Sequence, residues 1–274
     1  MDEIWPWIAF TVFIVVLLAL DLGVFNRRAH EVRPKEAATW VAIWVSLAAV
    51  FNAGVYHFLG MEKGLQFTTG YLIEEMLSVD NMFVFVLVMT AFRVPKIYQH
   101  KLLFYGILGA LLMRGSLIAA GAWLIANFHW IFYAFGVFLL FTAFRMVTDK
   151  DSDLNPQNNP IVKYISRHMP VVNEFHDGKF FVKRESDGRR AATPLFLALV
   201  CIEFTDLVFA MDSIPAIFAV TEDPFIVFTS NVFAILGLRS LYFLLSHALD
   251  KFHFLKHGIA AVLTFVGLKM LTKD

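Results

Sequence analysis

Six carboxylates lie inside two of the most hydrophobic stretches of the sequence. They are Glu74, Glu75 and Asp80 in the first stretch and Glu203, Asp206 and Asp212 in the second. An ionised side chain at the centre of a bilayer costs at least about 2.5 kcal/mol unless it faces a cavity or a partner, so such acids mark ion or substrate pathways. Glu75 is set apart, because it directly follows Glu74 and therefore faces another side of a helix.

The candidate site offers oxygen donors only. The predicted metal ligands are Glu74, Asp80, Glu203, Asp206 and Asp212, with Asn81 and Ser213 as additional candidate ligands. Hard divalent cations such as Mn²⁺, Mg²⁺ and Ca²⁺ prefer oxygen, whereas zinc and copper sites usually recruit histidine or cysteine. The sequence has a single cysteine, Cys201, and no histidine in mid-span. These facts favour a hard divalent ion.

Two arginines and one proline accompany the acids. Arg114 and Arg239 are predicted to be internal counter-charges, because five acids in one cavity repel one another. Structural ion pairs that lock the helices together are the alternative interpretation of both arginines. Pro215 is predicted to kink its helix beside Asp212, because proline lacks the backbone N–H and clashes with the carbonyl four residues earlier. Carbonyls freed in this way would add oxygen ligands.

The elements that must position these residues are predicted to be membrane helices. Hydrophobic residues make up 58% of the 274 residues and charged residues only 17%, against about 25% charged residues in soluble domains. The zero net charge argues against nucleic acid as a partner. Apolar stretches near the spanning length of about 20 residues are Trp7–Phe25, Ala38–Leu59, Phe67–Phe92, Leu102–Ala126, Trp130–Val147, Pro194–Val220, Pro224–His247 and the shorter Gly258–Leu271. The predicted fold is an all-α polytopic helical bundle of about eight spans.

Three features of the third to fifth spans recur in the sixth to eighth. Asp80-Asn81 matches Asp212-Ser213, and a carboxylate precedes each pair by six residues, Glu74 and Asp206. Residues 107–109 followed by an arginine resemble residues 235–237, and residues 144–148 resemble residues 268–272. A repeat of three spans is odd in number, so its second copy must cross the membrane in the opposite direction. The sequence therefore predicts a 3+3 inverted repeat, a plan that places ion sites near the membrane midplane.

The repeat divides the chain into four segments. We predict two additional N-terminal spans in residues 1–66, a first three-helix repeat in 67–148, a loop in 149–193 and a second repeat in 194–274. Lysines and arginines cluster after the first, third and seventh spans and in the loop, so the positive-inside rule predicts an outside N-terminus and a cytoplasmic loop. In that loop, residues 149–160 imitate the start of an EF-hand but lack its glycine and glutamate. We expect a linker there, a short amphipathic helix over Ile161–His168 and a strand over Lys179–Arg184.

Three long motifs, within residues 72–81, 202–219 and 228–239, closely resemble the TerC family of integral membrane proteins. The likeness extends from Leu20 to Leu271. The family name refers to tellurite resistance, and its better understood members look like manganese exporters of the bacterial inner membrane, related to the lysine-exporter superfamily. The resemblance implies that the acidic positions carry over to Glu74, Asp80, Glu203, Asp206 and Asp212. Relatives commonly have a lysine in place of Glu75. Relatives also usually continue into a further span, so a truncated C-terminus is expected.

The leading hypothesis is a secondary transporter that exports Mn²⁺ by alternating access around a midplane carboxylate site. Mn²⁺ is then the transported ion, protons are a candidate counter-ion, and no organic cofactor is expected. The alternative is a membrane partner that supplies manganese to exported enzymes, or a metal and tellurite stress-resistance scaffold that transports nothing. An enzyme is not expected, because Val79-Asp80-Asn81 and Met211-Asp212-Ser213 replace the Tyr-Asp and Gly-x-Gly-Asp motifs of intramembrane aspartyl proteases.

Overall fold

Nine α-helices dominate the structure, a computed structural model that describes residues 4–20, 33–148, 160–184, 188–246 and 255–272. The helices are α1 (Ile4–Leu20), α2 (Pro34–Leu59), α3 (Met61–Ala91), α4 (Lys96–Asn127), α5 (Ile131–Thr148), α6 (Pro160–His168), α7 (Pro194–Phe218), α8 (Pro224–Leu245) and α9 (Leu255–Leu271). Strands β1 (Phe181–Lys183) and β2 (Arg190–Ala192) form one antiparallel hairpin. The predicted class, an all-α polytopic membrane protein, is confirmed.

Eight of these helices correspond to the eight predicted spans. By length and composition, α2, α4, α5, α7 and α8 can cross a membrane. Helix α3 has 31 residues, ample for a bilayer, but it carries the acids of the first acidic stretch. Helices α1 and α9 have 17 residues each, slightly fewer than a span usually needs. The number of helices that cross the membrane stays a prediction.

Several sequence predictions fall outside the described residues. They are the end of the first span (21–25), the EF-hand-like segment (149–159), the end of the seventh span at His247, and the charged residues Arg27, Arg28, Lys150 and Lys251. Asp80 lies within α3, but its side chain is not among those described.

Proline and aspartate fix where the long helices begin. Pro34, Pro194 and Pro224 each occupy the first turn of their helix, where the missing N–H of proline costs no hydrogen bond. Asp223 caps α8, because its Oδ1 accepts a hydrogen bond of 3.0 Å from the backbone N–H of Phe225.

Helices α3 and α7 run antiparallel through the interior. A Cβ at Gly70 of α3 would lie 3.3 Å from Ile217, near the end of α7. Towards the other end of α3, Phe85 lines the same narrow cavity as Ile202, which lies early in α7. The predicted repeat matches these two helices, and an inverted repeat requires them to be antiparallel.

The other two matched pairs are also antiparallel. In α4 and α8, Gly115 faces Phe228, whereas Gly106 lines one cavity with Arg239. In α5 and α9, a Cβ at Gly136 would lie 3.1 Å from Leu271, and one at Gly267 would lie 3.0 Å from Leu140. All three pairs therefore have the relative direction that inversion requires, while superposition of the two repeats stays a prediction.

Helices α1 and α2 pack on the outside of this arrangement. Phe10 of α1 and Trp44 of α2 belong to a buried cluster with Phe67 of α3 and Phe233 of α8. That the first two spans stand outside a repeat stays a prediction.

Residues 160–193 pack against one end of the helical interior. Val162 of α6 is buried in a cluster with Leu195 of α7. Lys101 of α4 donates a hydrogen bond of 2.9 Å to the Gly178 carbonyl, and its Nζ lies 5.2 Å from the centre of the Phe180 ring. The predicted amphipathic helix is confirmed as α6, and the predicted strand is confirmed as β1.

The close approach of α5 and α9 yields the first prediction. Gly267→Ala should lower the free energy of unfolding by about 1–3 kcal/mol, because the new methyl would press on the Gly136 carbonyl, which lies 3.0 Å from its position. The matched control is Gly54→Ala, where nothing lies within 4 Å and helix propensity predicts a gain of up to about 1 kcal/mol. Unfolding in detergent measures both, and equal effects would contradict the packing described here.

Candidate functional site

One buried arginine joins two of the predicted carboxylates. Arg114 of α4 donates to Asp206 of α7 twice, from Nε to Oδ2 at 2.9 Å and from Nη2 to Oδ1 at 2.7 Å. Its Nη1 donates to Oε1 of Glu74 on α3. The exposed fractions of Arg114, Glu74 and Asp206 are 1%, 0% and 2%. We refer to these three residues as the bridge, since they tie α3, α4 and α7 together at one point.

The side chains of Glu74 and Asp206 converge on Arg114 although their backbones lie about two turns apart along the paired helices. Gly70 meets Ile217 near one end of this helix pair, and Phe85 lies near Ile202 towards the other end. Counting the same number of residues along each helix from these contacts places Glu74 opposite Ser213 and Asn81 opposite Asp206. In the predicted repeat, Glu74 corresponds to Asp206, and Asn81 corresponds to Ser213. The operation that exchanges the two predicted repeats therefore also exchanges Glu74 with Asp206 and Asn81 with Ser213.

The bridge carries an unbalanced charge. Glu74 and Asp206 contribute two negative charges when ionised, and Arg114 returns one positive charge. Oε1 of Glu74 is held by the arginine, but Oε2 is buried and has no hydrogen-bond partner among the described residues. A net negative charge away from water is costly unless a further cation or donor compensates it. The bridge is thus electrostatically suited to attract positive charge.

Two neutral residues in this region were missed by the sequence reasoning. Ser78 of α3 and Asn231 of α8 are both 0% exposed, and their polar side-chain atoms have no hydrogen-bond partner in the part of the chain described. Ser78 follows Glu74 by one helical turn and so lies on the same face of α3. The available signal was the run Thr229-Ser230-Asn231, three polar residues inside an otherwise apolar helix.

Glu203 and Arg239 lie beside the bridge. The Glu203 carboxylate rests over Gly109 of α4, in space that a Cβ at that glycine would occupy. Arg239, the second predicted counter-charge, is 6% exposed and lines a narrow cavity together with Asp206. The cavity has room for about one water molecule. One acid and one arginine outside the bridge are therefore close to its Asp206 end.

Asp212 faces a different neighbour. Its Oδ1 accepts a hydrogen bond of 3.0 Å from Thr142 of α5, and Arg145, one turn further along α5, attracts the same carboxylate electrostatically. No group of three histidine, cysteine, aspartate or glutamate side chains converges as a metal cluster among the described residues. The structure therefore groups Glu74 with Asp206 and leaves Asp212 directed towards α5.

The predicted kink at Pro215 does not interrupt α7. The helix continues through Pro215 to Phe218, and the Pro215 carbonyl accepts a hydrogen bond of 3.0 Å from the Ala219 N–H. Pro215 has no N–H to donate to the Met211 carbonyl, so that one helical hydrogen bond is missing. The helix is nevertheless continuous beside Asp212, and a kink at Pro215 stays a prediction.

Glu75 is separate from the site, as its position after Glu74 predicted. It accepts a hydrogen bond from Tyr71, one turn earlier on α3. Its Oε1 also lies near Gly237 of α8, 3.6 Å from where a Cβ would be. Glu75 therefore faces α8 and not the bridge.

Comparisons with known proteins agree on one family. A family model described as "Integral membrane protein TerC family" matches residues 59–274. A Myxococcus xanthus protein named "Uncharacterized membrane protein STKORF319" is 53% identical over 268 residues, which cover 98% of this chain and 83% of the relative. Proteins of Salmonella typhi and Escherichia coli (strain K12), both named "Putative membrane-bound redox modulator Alx", are 46% and 44% identical over 277 residues, covering 98% of this chain and 85% and 86% of theirs. No solved structure matches the chain.

The bridge yields the second prediction. Arg114→Gln should lower the free energy of unfolding by about 3–5 kcal/mol, because it leaves two buried carboxylates without their cation. Adding Glu74→Gln and Asp206→Asn to Arg114→Gln should restore most of that loss, since no charge then stays buried. The control is Lys63→Gln, which removes an ion pair with Asp223 that is 35% and 28% exposed and should cost at most about 1 kcal/mol. Unfolding in nanodiscs tests all three, and a triple variant less stable than Arg114→Gln would contradict the electrostatic explanation.

Proposed function

Because the chain belongs to the TerC family of integral membrane proteins, we propose that it is a secondary transporter that exports Mn²⁺ by alternating access. The observation that carries this proposal is the bridge, in which two buried carboxylates from antiparallel helices share one arginine. A multi-pass membrane protein has little structural need for three ionisable groups at this depth, whereas a transporter requires charged ligands there.

The charges of the bridge suit a divalent ion. When Arg114 turns away, Glu74 and Asp206 present two negative charges that one divalent cation neutralises. Asn81 and Ser213, which lie opposite the two acids, would supply additional oxygen atoms. All these donors are of the kind that hard cations prefer. The choice of Mn²⁺ among the hard cations rests on the family resemblance.

Contacts tie both ends of the helical interior, as a closed intermediate of alternating access requires. At one end, Lys63 pairs with Asp223 at 2.7 Å, and Thr221 donates to Gln66 at 2.7 Å. Both contacts join the start of α3 to the connection between α7 and α8. At the other end, residues 160–193 pack on the helices through α6. We propose that these ends open in turn, with the segment 149–193 on the cytoplasmic side and the N-terminus outside.

The acids outside the bridge would serve the ion on its way. Glu203 precedes Asp206 by one turn of α7 and is only half-buried, so it can receive an ion between the surface and the bridge. Asp212 lies towards the other end of α7, next to Thr142. We propose these two residues, together with Asp80, as ligands of successive positions and not of one common centre.

Two other roles compete with transport. The protein could supply manganese to exported enzymes as a membrane partner, or act in metal and tellurite stress resistance without moving an ion. The names of two relatives refer to redox modulation, but a dithiol couple within this sequence is excluded because Cys201 is its single cysteine. We favour transport in the bacterial inner membrane over these roles and over catalysis, because the bridge offers the charged ligands that a transported cation requires.

Flux through proteoliposomes provides the third prediction. Glu74→Gln and Asp206→Asn should each abolish Mn²⁺ flux, because a neutral amide keeps the shape of the side chain but loses the charge that holds the ion. Asp80→Asn and Asp212→Asn are also expected to abolish it. The control is Glu62→Gln, an exposed acid in the first turn of α3, which should transport like the wild type. Flux is compared at equal amounts of folded protein. Wild-type flux in both bridge variants would contradict the site, and no flux in the wild type would favour the scaffold.

A further inference from the structure

Near the bridge, buried polar atoms on three helices have no hydrogen-bond partner among the described residues. They are Oε2 of Glu74, Oγ of Ser78, Oγ of Ser213, and both polar atoms of the Asn231 side chain. None of these four residues is more than 1% exposed. Buried polar groups in proteins nearly always have a partner, so several such atoms around one charged contact indicate a place built for a ligand.

Glu74, Ser78 and Ser213 lie within about one helical turn of one another, whereas Asn231 lies about one turn from Glu74 on the side away from Ser78, because the adjacent Ser230 approaches Gly70 of α3. Ser78 follows Glu74 by one turn, and Ser213 lies opposite Glu74 on α7. On α8, Asn231 follows Phe228 by three residues and so shares its face. Phe228 packs on Gly115 of α4, 3.3 Å from where a Cβ would be, and Gly115 adjoins Arg114. Asn231 therefore faces the turn of α4 that carries the arginine of the bridge.

The charge of this group specifies its ligand. With Arg114 in place, the bridge carries one net negative charge, which a monovalent cation balances and a divalent cation exceeds. The unpartnered oxygen atoms of Glu74, Ser78 and Ser213 comprise one carboxylate oxygen and two neutral ones. These are hard donors, and a close-packed helical interior favours a small ion.

We propose that Glu74, Ser78 and Ser213 bind one small monovalent cation, Na⁺, beside Arg114. The coupling that follows rests on the proposed function. Arg114 and one Na⁺ together supply the same positive charge as one divalent ion. Binding of Na⁺ beside Arg114 and binding of a divalent ion between the two acids therefore exclude each other. Na⁺ is then the ion exchanged for the exported metal, bound through Oε2 of Glu74 while Oε1 stays on the arginine.

Thermal unfolding of the full chain in nanodiscs tests the site without any divalent ion. Na⁺ should raise the melting temperature saturably at constant pH and ionic strength, with N-methylglucamine as the replacement cation and K⁺ giving a smaller shift. Ser213→Ala, which removes one hydroxyl, should weaken the apparent Na⁺ affinity about tenfold or more, since a polar contact with a charge contributes about 1.5–3 kcal/mol. Ser78→Ala should act likewise.

The control for Ser213→Ala is Ser116→Ala, which removes an exposed hydroxyl bonded to its own helix at Leu112. It should keep the wild-type response to Na⁺. A wild type without a Na⁺-dependent shift would overturn the proposal, and so would an unchanged shift in Ser213→Ala. If Ser78→Ala does not fold, Ser213→Ala alone decides the outcome.

Flux measurements separate this proposal from the proposed function. In proteoliposomes loaded with Mn²⁺, an opposing Na⁺ gradient should accelerate Mn²⁺ efflux, and Ser213→Ala should reduce that acceleration. Mn²⁺ flux that ignores the Na⁺ gradient would overturn the exchange while leaving manganese transport intact. A Na⁺-dependent melting shift in a protein without Mn²⁺ flux would support the site and refute the transporter.

Discussion

The interior of the protein depends on the cost of keeping charge away from water. Glu74, Arg114 and Asp206 are almost completely buried, and each would be strongly destabilising without the other two. A bidentate contact to Asp206 and a single contact to Glu74 use the planar fork of the arginine in a way that lysine cannot reproduce. Three helices must therefore meet at one level. The account of fold and function follows from that requirement.

Small residues allow the helices to approach closely enough for Arg114 to contact both acids. Gly109 leaves room for the Glu203 carboxylate, and Gly70 faces Ser230 of α8, whose Oγ lies 2.9 Å from where a Cβ would be. Such close contacts replace the hydrophobic driving force that is missing between helices in lipid. Each predicted repeat contributes one acid and one neutral oxygen donor. These are Glu74 and Asn81 on α3, and Asp206 and Ser213 on the antiparallel α7. The candidate site is thus shared between the two predicted repeats.

Much of this organisation could be predicted from the sequence, because hydrophobic length and buried charge are strong local signals. They identified the helices and the buried acids, and they singled out Arg114, which pairs with Glu74 and Asp206. Spacing within a helix gives only the face of a residue, whereas its level against another helix depends on packing between distant segments. For this reason the contact of Asp212 with Thr142 on α5 was not foreseen. Ser78 and Asn231 were missed because single neutral polar residues in apolar helices resemble ordinary packing.

The central claim is that a divalent ion takes the place of Arg114 between Glu74 and Asp206. A crystal structure of the protein with bound Mn²⁺, with data collected on both sides of the manganese absorption edge, tests it most directly. The account predicts an anomalous peak in contact with both carboxylates and an arginine that no longer bonds to both. A manganese peak elsewhere, with Arg114 still holding both acids, would contradict it.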